Sequence, residues 1–162
     1  MKISYKVNAK ILYITFLCCC GFCFNNSNDE VKQSVETLFK GMFQGDSAMV
    51  HSVFWDDVRM YTSFTTAEGK EEFRKGSIEN FLRAVGTPHE EPWDEQIWNL
   101  QISVDDNLAH AWMNYAFYLG DQFSHCGVNA IQLLKMDGKW KIVHLIDTRR
   151  KEGCDIPVGL KK

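Results

Sequence analysis

The residues that could carry chemistry lie toward the C-terminal end of the chain. Asp147 stands at the end of the last apolar segment, Arg149 follows two positions later, and His125 is followed directly by Cys126. A carboxyl group in an apolar cavity has a raised pKa and can act as a general base or a neutral donor, and histidine exchanges protons near neutral pH. Asp147 and His125 are therefore the candidate catalytic residues. The alternative is structural: Asp147 accepts hydrogen bonds or pairs with Arg149, and His125 is a surface or core histidine.

Other chemistries have little support in the sequence. The chain has no H-x-x-x-H or D-x-D-x-D-G arrangement, no G-x-S-x-G nucleophile motif and no glycine-rich phosphate loop. His125 and Cys126 are adjacent in a predicted strand, so their side chains point to opposite faces and cannot bind one ion. We therefore predict neither a metal site nor a cofactor.

Three amphipathic helices are predicted to come first. Ser27-Asn28-Asp29-Glu30 has the form of a capping box, and apolar residues at spacings of three and four continue the helix to Gly45. Asp46 can cap a second, shorter helix. Alternating residues over 57–64 predict a strand, and the apolar spacing over about 71–85 predicts a third helix.

The chain beyond Pro92 predicts an antiparallel meander. Three dipeptides typical of hairpin turns divide it: Asp106-Asn107, Gly120-Asp121 and Asp137-Gly138. A two-residue turn fixes which residues face each other across a hairpin. The first turn gives one apolar face with the opposed pairs Trp98 and Tyr115, Leu100 and Met113, Ile102 and Ala111, and Val104 and Ala109.

The same arithmetic, carried through the next two turns, predicts which later residues join this apolar face. It adds Cys126 beside Tyr115 and Arg149, Val128 beside Met113 and Asp147, and Ala130 beside Ala111 and Leu145. Strongly curved sheets usually contain a β-bulge, and one extra residue would exchange Cys126 and Val128 for His125 and Asn129. Both registers stay open.

An α+β fold with a pocket follows from these elements. The meander must curl around the helices to bury its apolar face, which gives a cone of three N-terminal helices packed in a strongly curved antiparallel sheet. Concave apolar cavities with a few convergent polar groups are the usual form of small-molecule sites. We predict a pocket for a small, largely apolar molecule, lined by Tyr61, Trp98, Tyr115, Asp147 and one of His125 or Cys126, with Arg149 at the rim.

The N-terminal segment predicts export. Lysines at positions 2, 6 and 10 precede a short apolar run, and polar residues follow Phe24, which is the layout of a secretory signal. Leu17-Cys18-Cys19-Cys20 resembles a bacterial lipobox with Cys20 as the lipidation candidate. Ordinary cleavage between Cys20 and Phe24 and an uncleaved anchor are the alternatives. Residues 1–24 are thus a predicted signal peptide and 25–162 a single domain, placed in the periplasm, on a membrane through a lipid anchor, or outside the cell.

The charge of the chain indicates which binding partners to expect, and its cysteines indicate which redox state is open to it. The chain has 162 residues and a net charge of −3, which becomes −6 without residues 1–24, because these hold three lysines and no acidic residue. An acidic domain with no basic cluster is a poor nucleic-acid binder. Cys126 and Cys154 remain after the signal and either form a disulfide in an oxidising compartment or stay separate thiols.

The outer face of the sheet predicts self-association. In the register without a bulge, four large apolar residues would otherwise face water there: Trp112, Ile131, Ile142 and Ile146. A contiguous exposed apolar face of this kind marks an interaction site. We therefore expect a homodimer.

Four segments carry a resemblance to a known family. They are Pro92-Trp93 with Ile97-Trp98-Asn99, Ala109-His110-Ala111-Trp112, Ser124-His125-Cys126-Gly127-Val128-Asn129-Ala130, and Gly138-Lys139-Trp140-Lys141-Ile142 continuing through Asp147-Thr148-Arg149-Arg150 to Gly153-Cys154. With a helical hairpin, a third helix and a meander, these resemble the nuclear transport factor 2-like superfamily and, within it, the bacterial SnoaL-like and "putative lumazine-binding" branch. The resemblance covers about residues 29–154.

This resemblance implies a cystatin-like cone, commonly dimerised through its outer sheet face, with an internal pocket. Such folds host ketosteroid isomerase, scytalone dehydratase, polyketide cyclases and many binding proteins, so the fold does not determine function. We expect an exported binding domain for a small, largely apolar molecule. The alternatives are a cofactor-free isomerase, dehydratase or hydrolase that uses Asp147 or His125 as acid and base, and a dimeric interaction module.

Overall fold

The computed structural model describes residues 26–160 and has the α+β class predicted from the sequence. The predicted signal peptide, including Cys20 and the boundary after residue 24, lies outside the described residues. The helices are α1 (Ser27–Gln44), α2 (Ser47–Ser52) and α3 (Ile78–Gly86). The strands are β1 (Phe54–Thr65), β2 (Glu71–Lys75), β3 (Trp93–Asp105), β4 (Leu108–Leu119), β5 (Gln122–Met136) and β6 (Lys139–Arg149), and a 3-10 turn follows at Val158–Leu160.

The strands form one curved, unclosed sheet. Six strands lie in the order β2-β1-β6-β5-β4-β3, and only β1 and β6 run parallel among these neighbours. The four C-terminal strands are the predicted meander. Because β2 and β3 lie at opposite edges, the sheet encloses the helices without closing into a barrel.

The N-terminal helices begin and end close to the predicted residues. Asn26 caps α1 by accepting from the Asn28 amide at 3.2 Å, so the cap lies one residue before the predicted Ser27. Glu30 is used elsewhere: its carboxylate accepts from Lys135 Nζ at 2.7 Å and from Trp140 Nε1 at 3.1 Å. Gly45 ends α1 with a φ of 66°, a conformation that glycine adopts without steric cost. Asp46 caps α2, as predicted.

The predicted helix over 71–85 is wrong in its first half. Residues Glu71–Lys75 form strand β2, which pairs with β1, and Phe73 is 74% exposed rather than on a helix face. Ser77 caps α3 through the Asn80 amide. Pairing with the edge of β1 satisfies the β2 backbone groups, and this long-range gain outweighs the local helical spacing.

The core lies between α1 and the concave face of the sheet. One face of α1 is buried, and it packs in one cluster with the inward residues of β4, β5 and β6. The fully buried members include Val31, Val35, Leu38, Ala111, Met113, Ile131, Leu133 and Ile142. Burial of each larger side chain contributes about 1.5–3 kcal/mol.

Three bulges set the register of the meander. The first lies between Trp98 and Gln101, where Asn99 has a φ of 52°. The predicted pairs Ile102 with Ala111 and Val104 with Ala109 are confirmed. Beyond the bulge the predicted pairing of Trp98 with Tyr115 is wrong, because Ile97 lies opposite Tyr115. Leu100 falls within the bulge and packs against the core cluster that contains Met113.

The second bulge decides which residues of β5 face inward. Ser124 is the extra residue, so His125 lies opposite Phe117 and Asn129 lies opposite both Met113 and Asp147. The structure therefore has the bulged alternative, and the predicted placement of Cys126 and Val128 on the concave face is wrong.

A third bulge follows between Gln132 and Leu133. Ile131 and Ile142, predicted on the outer face, are fully buried in the core, because the shifted register turns them inward. The predicted pairing of Ala130 with Ala111 and Leu145 is wrong for the same reason, since Ile131 takes that place.

The convex face holds the two cysteines. Cys126 and Cys154 form a disulfide with their Cα atoms 5.8 Å apart, so the disulfide is the alternative that this structure has. It holds the segment after β6 against a small cluster of Ala116, Tyr118 and Trp98.

Within residues 26–160, no helix is long and apolar enough to cross a membrane.

Candidate functional site

A cavity of about 690 Å³ lies between the helices and the concave face. Its walls are mostly apolar: Leu38, Phe39 and Met42 from α1, Phe81 from α3, and Met60, Trp93, Phe117, Leu119 and Leu145 from the sheet. Its polar residues come largely from the central strands and include Thr62, Glu95, Tyr115, Ser124, His125, Asn129, Asp147 and Arg149. The volume is in the range of small-molecule sites.

Asp147 is at the centre of the polar group. It is 6% exposed, and its carboxylate accepts from Thr62 Oγ1 at 2.6 Å, Tyr115 Oη at 3.0 Å and Arg149 Nε at 2.7 Å. A buried carboxylate requires such partners, because an unpaired charge in an apolar interior is strongly destabilising. The geometry therefore agrees with the structural alternative for Asp147, in which this residue accepts hydrogen bonds and pairs with Arg149.

Tyr115 reaches Asp147 because Gly127 lies beneath its ring. The Tyr115 hydroxyl also lies 2.9 Å from the Thr148 carbonyl oxygen, on the strand beyond β5. A Cβ atom added to Gly127 would lie 1.7 Å from the Thr148 oxygen and 2.9 Å from the Tyr115 ring. Burial and the neighbouring Asp147 charge raise the pKa of Tyr115, so the hydroxyl stays a proton donor.

Glu95 is a second carboxyl group in the cavity, and the sequence prediction missed it. Its Oε1 accepts from Asn129 Nδ2 at 2.7 Å. Burial raises the pKa of Glu95 to about 7, with the Asn129 hydrogen bond opposing this effect and the Asp147 charge adding to it. Glu95 is also one of the residues that line the cavity. Near neutral pH this group can therefore hold or release a proton inside the cone.

A signal for Glu95 exists in the sequence. Trp93, Glu95 and Ile97 share one face of β3, so a carboxylate interrupts an otherwise apolar alternation. The register of the neighbouring strands was needed to show that this face borders the pocket.

His125 lies at the junction between the cavity and its mouth. Its Nδ1 is 3.0 Å from Ser124 Oγ, and its ring contacts those of Tyr115 and Phe117. Burial lowers the pKa of His125 to about 4, and the Arg149 charge adds to the effect. The imidazole is therefore neutral at pH 7 and serves as a hydrogen-bonding group.

Arg149 connects Asp147 with solvent. Its side chain is 51% exposed, while that of Asp147 is 8% exposed. Burial acts to lower the pKa of Arg149, but the Asp147 carboxylate outweighs it and the pKa is raised. Arg149 thus stands at the rim as a permanent cation.

The structure brings together most, though not all, of the predicted pocket residues. Tyr115, His125, Asp147 and Arg149 border the same cavity, and Tyr61 also borders it. The register of Tyr61 opposite Ile146, however, places its ring on the convex face, where it makes edge contacts with Phe73 and His144, so Tyr61 is not the cavity wall that was predicted. The placement of Trp98 in the pocket is wrong, because the first bulge turns Trp98 to the convex cluster. Trp93, which the prediction did not include, supplies the tryptophan of the cavity wall.

Metal binding finds no geometric support in the part of the chain that the structure describes. Over residues 26–160, no three His, Cys, Asp or Glu side chains are grouped so that they could hold an ion. The side chains that line the cavity present carboxyl, hydroxyl, amide, imidazole, ammonium and guanidinium groups.

Comparison with known proteins gives one family and many similar folds. The model of a family described as "Putative lumazine-binding" matches residues 26–145. No curated protein matches the chain significantly.

Three solved structures illustrate the similarity in fold. An NTF2-like protein from Cytophaga hutchinsonii has a TM-score of 0.62 at 13% identity, over 77% of this chain and 99% of its own. An NTF2-like protein of unknown function from Pseudomonas putida has a TM-score of 0.61 at 17% identity, over 84% and 96%. A Nostoc punctiforme protein of unknown function with a cystatin-like fold has a TM-score of 0.58 at 12% identity, over 76% and 90%.

Proposed function

Since the chain belongs to the family described as "Putative lumazine-binding", in the nuclear transport factor 2-like superfamily, we propose that it binds a small, largely apolar molecule in its cone. One observation carries the proposal: a cavity of about 690 Å³ has apolar walls and a hydrogen-bonded polar group at one side. Apolar surface provides affinity in such a site, and a few fixed polar groups orient the ligand.

The distribution of polar groups favours a particular kind of ligand. Most of the polar lining residues, among them Glu95, Asn129 and His125, lie on the sheet. The helices contribute mainly apolar side chains such as Leu38, Met42 and Phe81, and their polar lining is confined to Ser77 and Asn80 at the start of α3. An apolar molecule with one polar end matches this arrangement better than a ring with polar atoms around its whole edge, such as a lumazine. The proposal therefore concerns the apolar class and not the molecule in the family description.

Native mass spectrometry of the full-length protein tests this function. The native spectrum is expected to show a mass excess that disappears on denaturation. Leu145→Trp fills the cavity and should abolish the excess. Leu134→Trp, at an exposed leucine of β5 outside the cavity, should retain it. Thermal unfolding of both variants verifies that they fold. A protein that carries no excess and gives no Leu145-dependent fluorescence with the neutral dye N-phenyl-1-naphthylamine would contradict the proposal.

A second candidate function is a cofactor-free isomerase, dehydratase or hydrolase. The observation in its favour is Glu95, a cavity carboxyl group whose pKa is about 7. Asp147, by contrast, already accepts three hydrogen bonds, and His125 is neutral at pH 7, so Glu95 is the strongest acid–base candidate.

Glu95→Gln separates the two functions. In an enzyme the variant would retain a molecule chemically different from that released by the wild-type protein, because the substrate is no longer converted. A binding protein would release the same molecule from both. Denaturation followed by mass and chromatographic comparison of the released compounds provides the readout, with the exposed Glu90→Gln as the control.

We also propose that the protein is exported. The charged and apolar pattern of residues 1–24 supports this, and so does the disulfide between Cys126 and Cys154, because disulfides persist in oxidising compartments. Denaturing mass spectrometry of protein expressed with its own leader distinguishes an acylated Cys20 from a cleaved, unmodified chain. A full-length mass recovered from the cytoplasm would contradict export.

The convex face supports the proposal of a homodimer. Trp112, Ala130, Ile146 and Tyr61 form one row across four strands by their register. Trp112 is 44% exposed, and aromatic residues are enriched in protein interfaces. Sedimentation velocity at micromolar concentration should show a dimer that Trp112→Asp dissociates. A monomeric wild-type protein would contradict the proposal.

A further inference from the structure

A second cavity opens at the mouth of the cone. Its volume is about 970 Å³, and it shares Thr62, Ser124, His125 and Arg149 with the inner cavity. The two spaces are therefore adjacent, with these residues at their boundary. A ligand that fills the inner cavity can extend past His125 and Arg149 into the outer one.

The outer cavity has a different electrostatic character from the rest of the molecule. Arg74, Arg149, Arg150 and Lys151 line it, and Glu152 is the acidic residue among the lining residues that the structure describes. The chain as a whole has a net charge of −3, so this concentration of cations is local. A cleft lined by one sign of charge attracts ligands of the opposite sign.

Strand pairing places two of the guanidinium groups on the same face. Arg74 on β2 lies opposite Thr62 on β1, and Arg149 on β6 lies opposite Phe64 on β1. The Thr62 side chain points inward to Asp147, and paired residues share a face, so Arg74 stands on the inward face as well. The Arg74 guanidinium lies over the Phe64 ring, 4.7 Å from its centre.

Arg149 has donors beyond the one used for Asp147. Its Nε donates to Asp147 Oδ2 at 2.7 Å, and a guanidinium carries five N–H donors. Guanidinium groups bind carboxylate, sulfonate and phosphate oxygens with two parallel hydrogen bonds when the geometry permits.

We propose that the ligand has an anionic oxygen head group, which binds between Arg74, Arg149 and Lys151 while its apolar body fills the inner cavity. The inference rests on the proposed binding function and specifies its ligand class: an amphipathic organic anion. His125, which is shared by the two cavities, lies where the body meets the head group.

Two dyes that differ by one charged group test the inference on the full-length protein. N-phenyl-1-naphthylamine is neutral, and 8-anilinonaphthalene-1-sulfonate adds a sulfonate to nearly the same apolar body. Fluorescence titration should show tighter binding of the sulfonate. Its affinity should fall with added NaCl, because salt screens attraction between accessible charges, and the affinity of the neutral dye should not.

The matched variants remove charges outside the buried polar group. Arg74→Gln combined with Lys151→Gln should weaken sulfonate binding about three- to tenfold, as expected for two accessible ion pairs, and leave neutral-dye binding unchanged. Arg59→Gln removes an exposed charge on another part of β1 and should change neither. Decanoate or decyl phosphate should displace the sulfonate better than decanol, and the stronger competitor identifies the head-group chemistry.

The failures of the two proposals are distinguishable. If the neutral dye binds but the sulfonate binds no tighter, or if the double variant weakens both dyes equally, the head-group inference is wrong and cavity binding stands. If neither dye binds, cavity binding itself fails and the inference fails with it. Equal displacement by decanol and decanoate would also overturn the charged head group.

Discussion

Replacing Glu95 by glutamine removes an ionisable group from the cavity while keeping its size and its acceptor for Asn129. In the folded protein burial raises the pKa of Glu95 to about 7, compared with an ordinary value of 4.5. Between these pH values the folded protein holds a proton that the unfolded chain has released. The stabilisation that comes from this bound proton is therefore fully present below about pH 4.5 and is lost as the pH rises through 7.

The size of the effect follows from the two pKa values. Each pH unit between them corresponds to about 1.4 kcal/mol, which gives about 3 kcal/mol as an upper figure for a dry cavity. Water in the cavity would solvate the carboxylate and reduce the cost to about 1 kcal/mol. At pH 8 we expect Glu95→Gln to be more stable than wild type by about 1–3 kcal/mol, and at pH 4.5 the two should be equal.

In the wild-type protein, His125 gives a dependence of stability on pH that is opposite to that of Glu95. Burial lowers the pKa of His125 from 6.5 to about 4, so its contribution is present above pH 6.5 and is lost as the pH falls through 4. The two slopes partly cancel in the wild-type profile. Because wild type and Glu95→Gln both contain His125, its contribution cancels when the free energy of unfolding of one is subtracted from that of the other.

Urea unfolding followed by tryptophan fluorescence from pH 4.5 to 8 measures this difference. With a urea dependence of about 1–3 kcal/mol per molar, a stability gain of about 2 kcal/mol moves the midpoint by about 1 M. Glu90→Gln, an exposed matched substitution, should show no pH-dependent difference from wild type. If the Glu95→Gln and wild-type stabilities remain parallel over the whole range, Glu95 is not a buried carboxyl group and its assigned place in the cavity is wrong.

Two further predictions concern the groups that hold the cone together. Tyr115→Phe removes a donor to buried Asp147 and should lower the free energy of unfolding by about 1–3 kcal/mol, whereas Tyr118→Phe on the convex face should cost less; equal losses in urea unfolding would contradict the role of the hydroxyl. The double variant Cys126→Ser, Cys154→Ser opens a loop with a sequence separation of 28 residues and should lose about 3 kcal/mol, and an unfolding midpoint insensitive to both this change and reductant would refute it.

The sequence alone determined the class and most of the elements. The spacing around Val31, Val35 and Leu38 predicted the α1 face that is buried, because helical geometry repeats within one local segment. The turn dipeptides predicted the order of the meander, because φ above zero at Asp106 and Gly120 is a local requirement of each turn. The inward position of Asp147 was also predicted, because alternation along β6 placed it with Leu145.

Only the tertiary structure decided which residues of the meander face the pocket. The extra residue Ser124 reverses the facing of every later residue of β5 relative to the register without a bulge, which turns His125 inward and Cys126 toward Cys154. The bulge beside Asn99 likewise turns Trp98 outward. Glu95 enters the site only because β3 and β5, which flank β4 in the sheet, come close enough for Asn129 to donate a hydrogen bond to it. A bulge responds to the curvature that packing around the helices imposes, and that curvature is a property of the whole sheet rather than of any local run of residues.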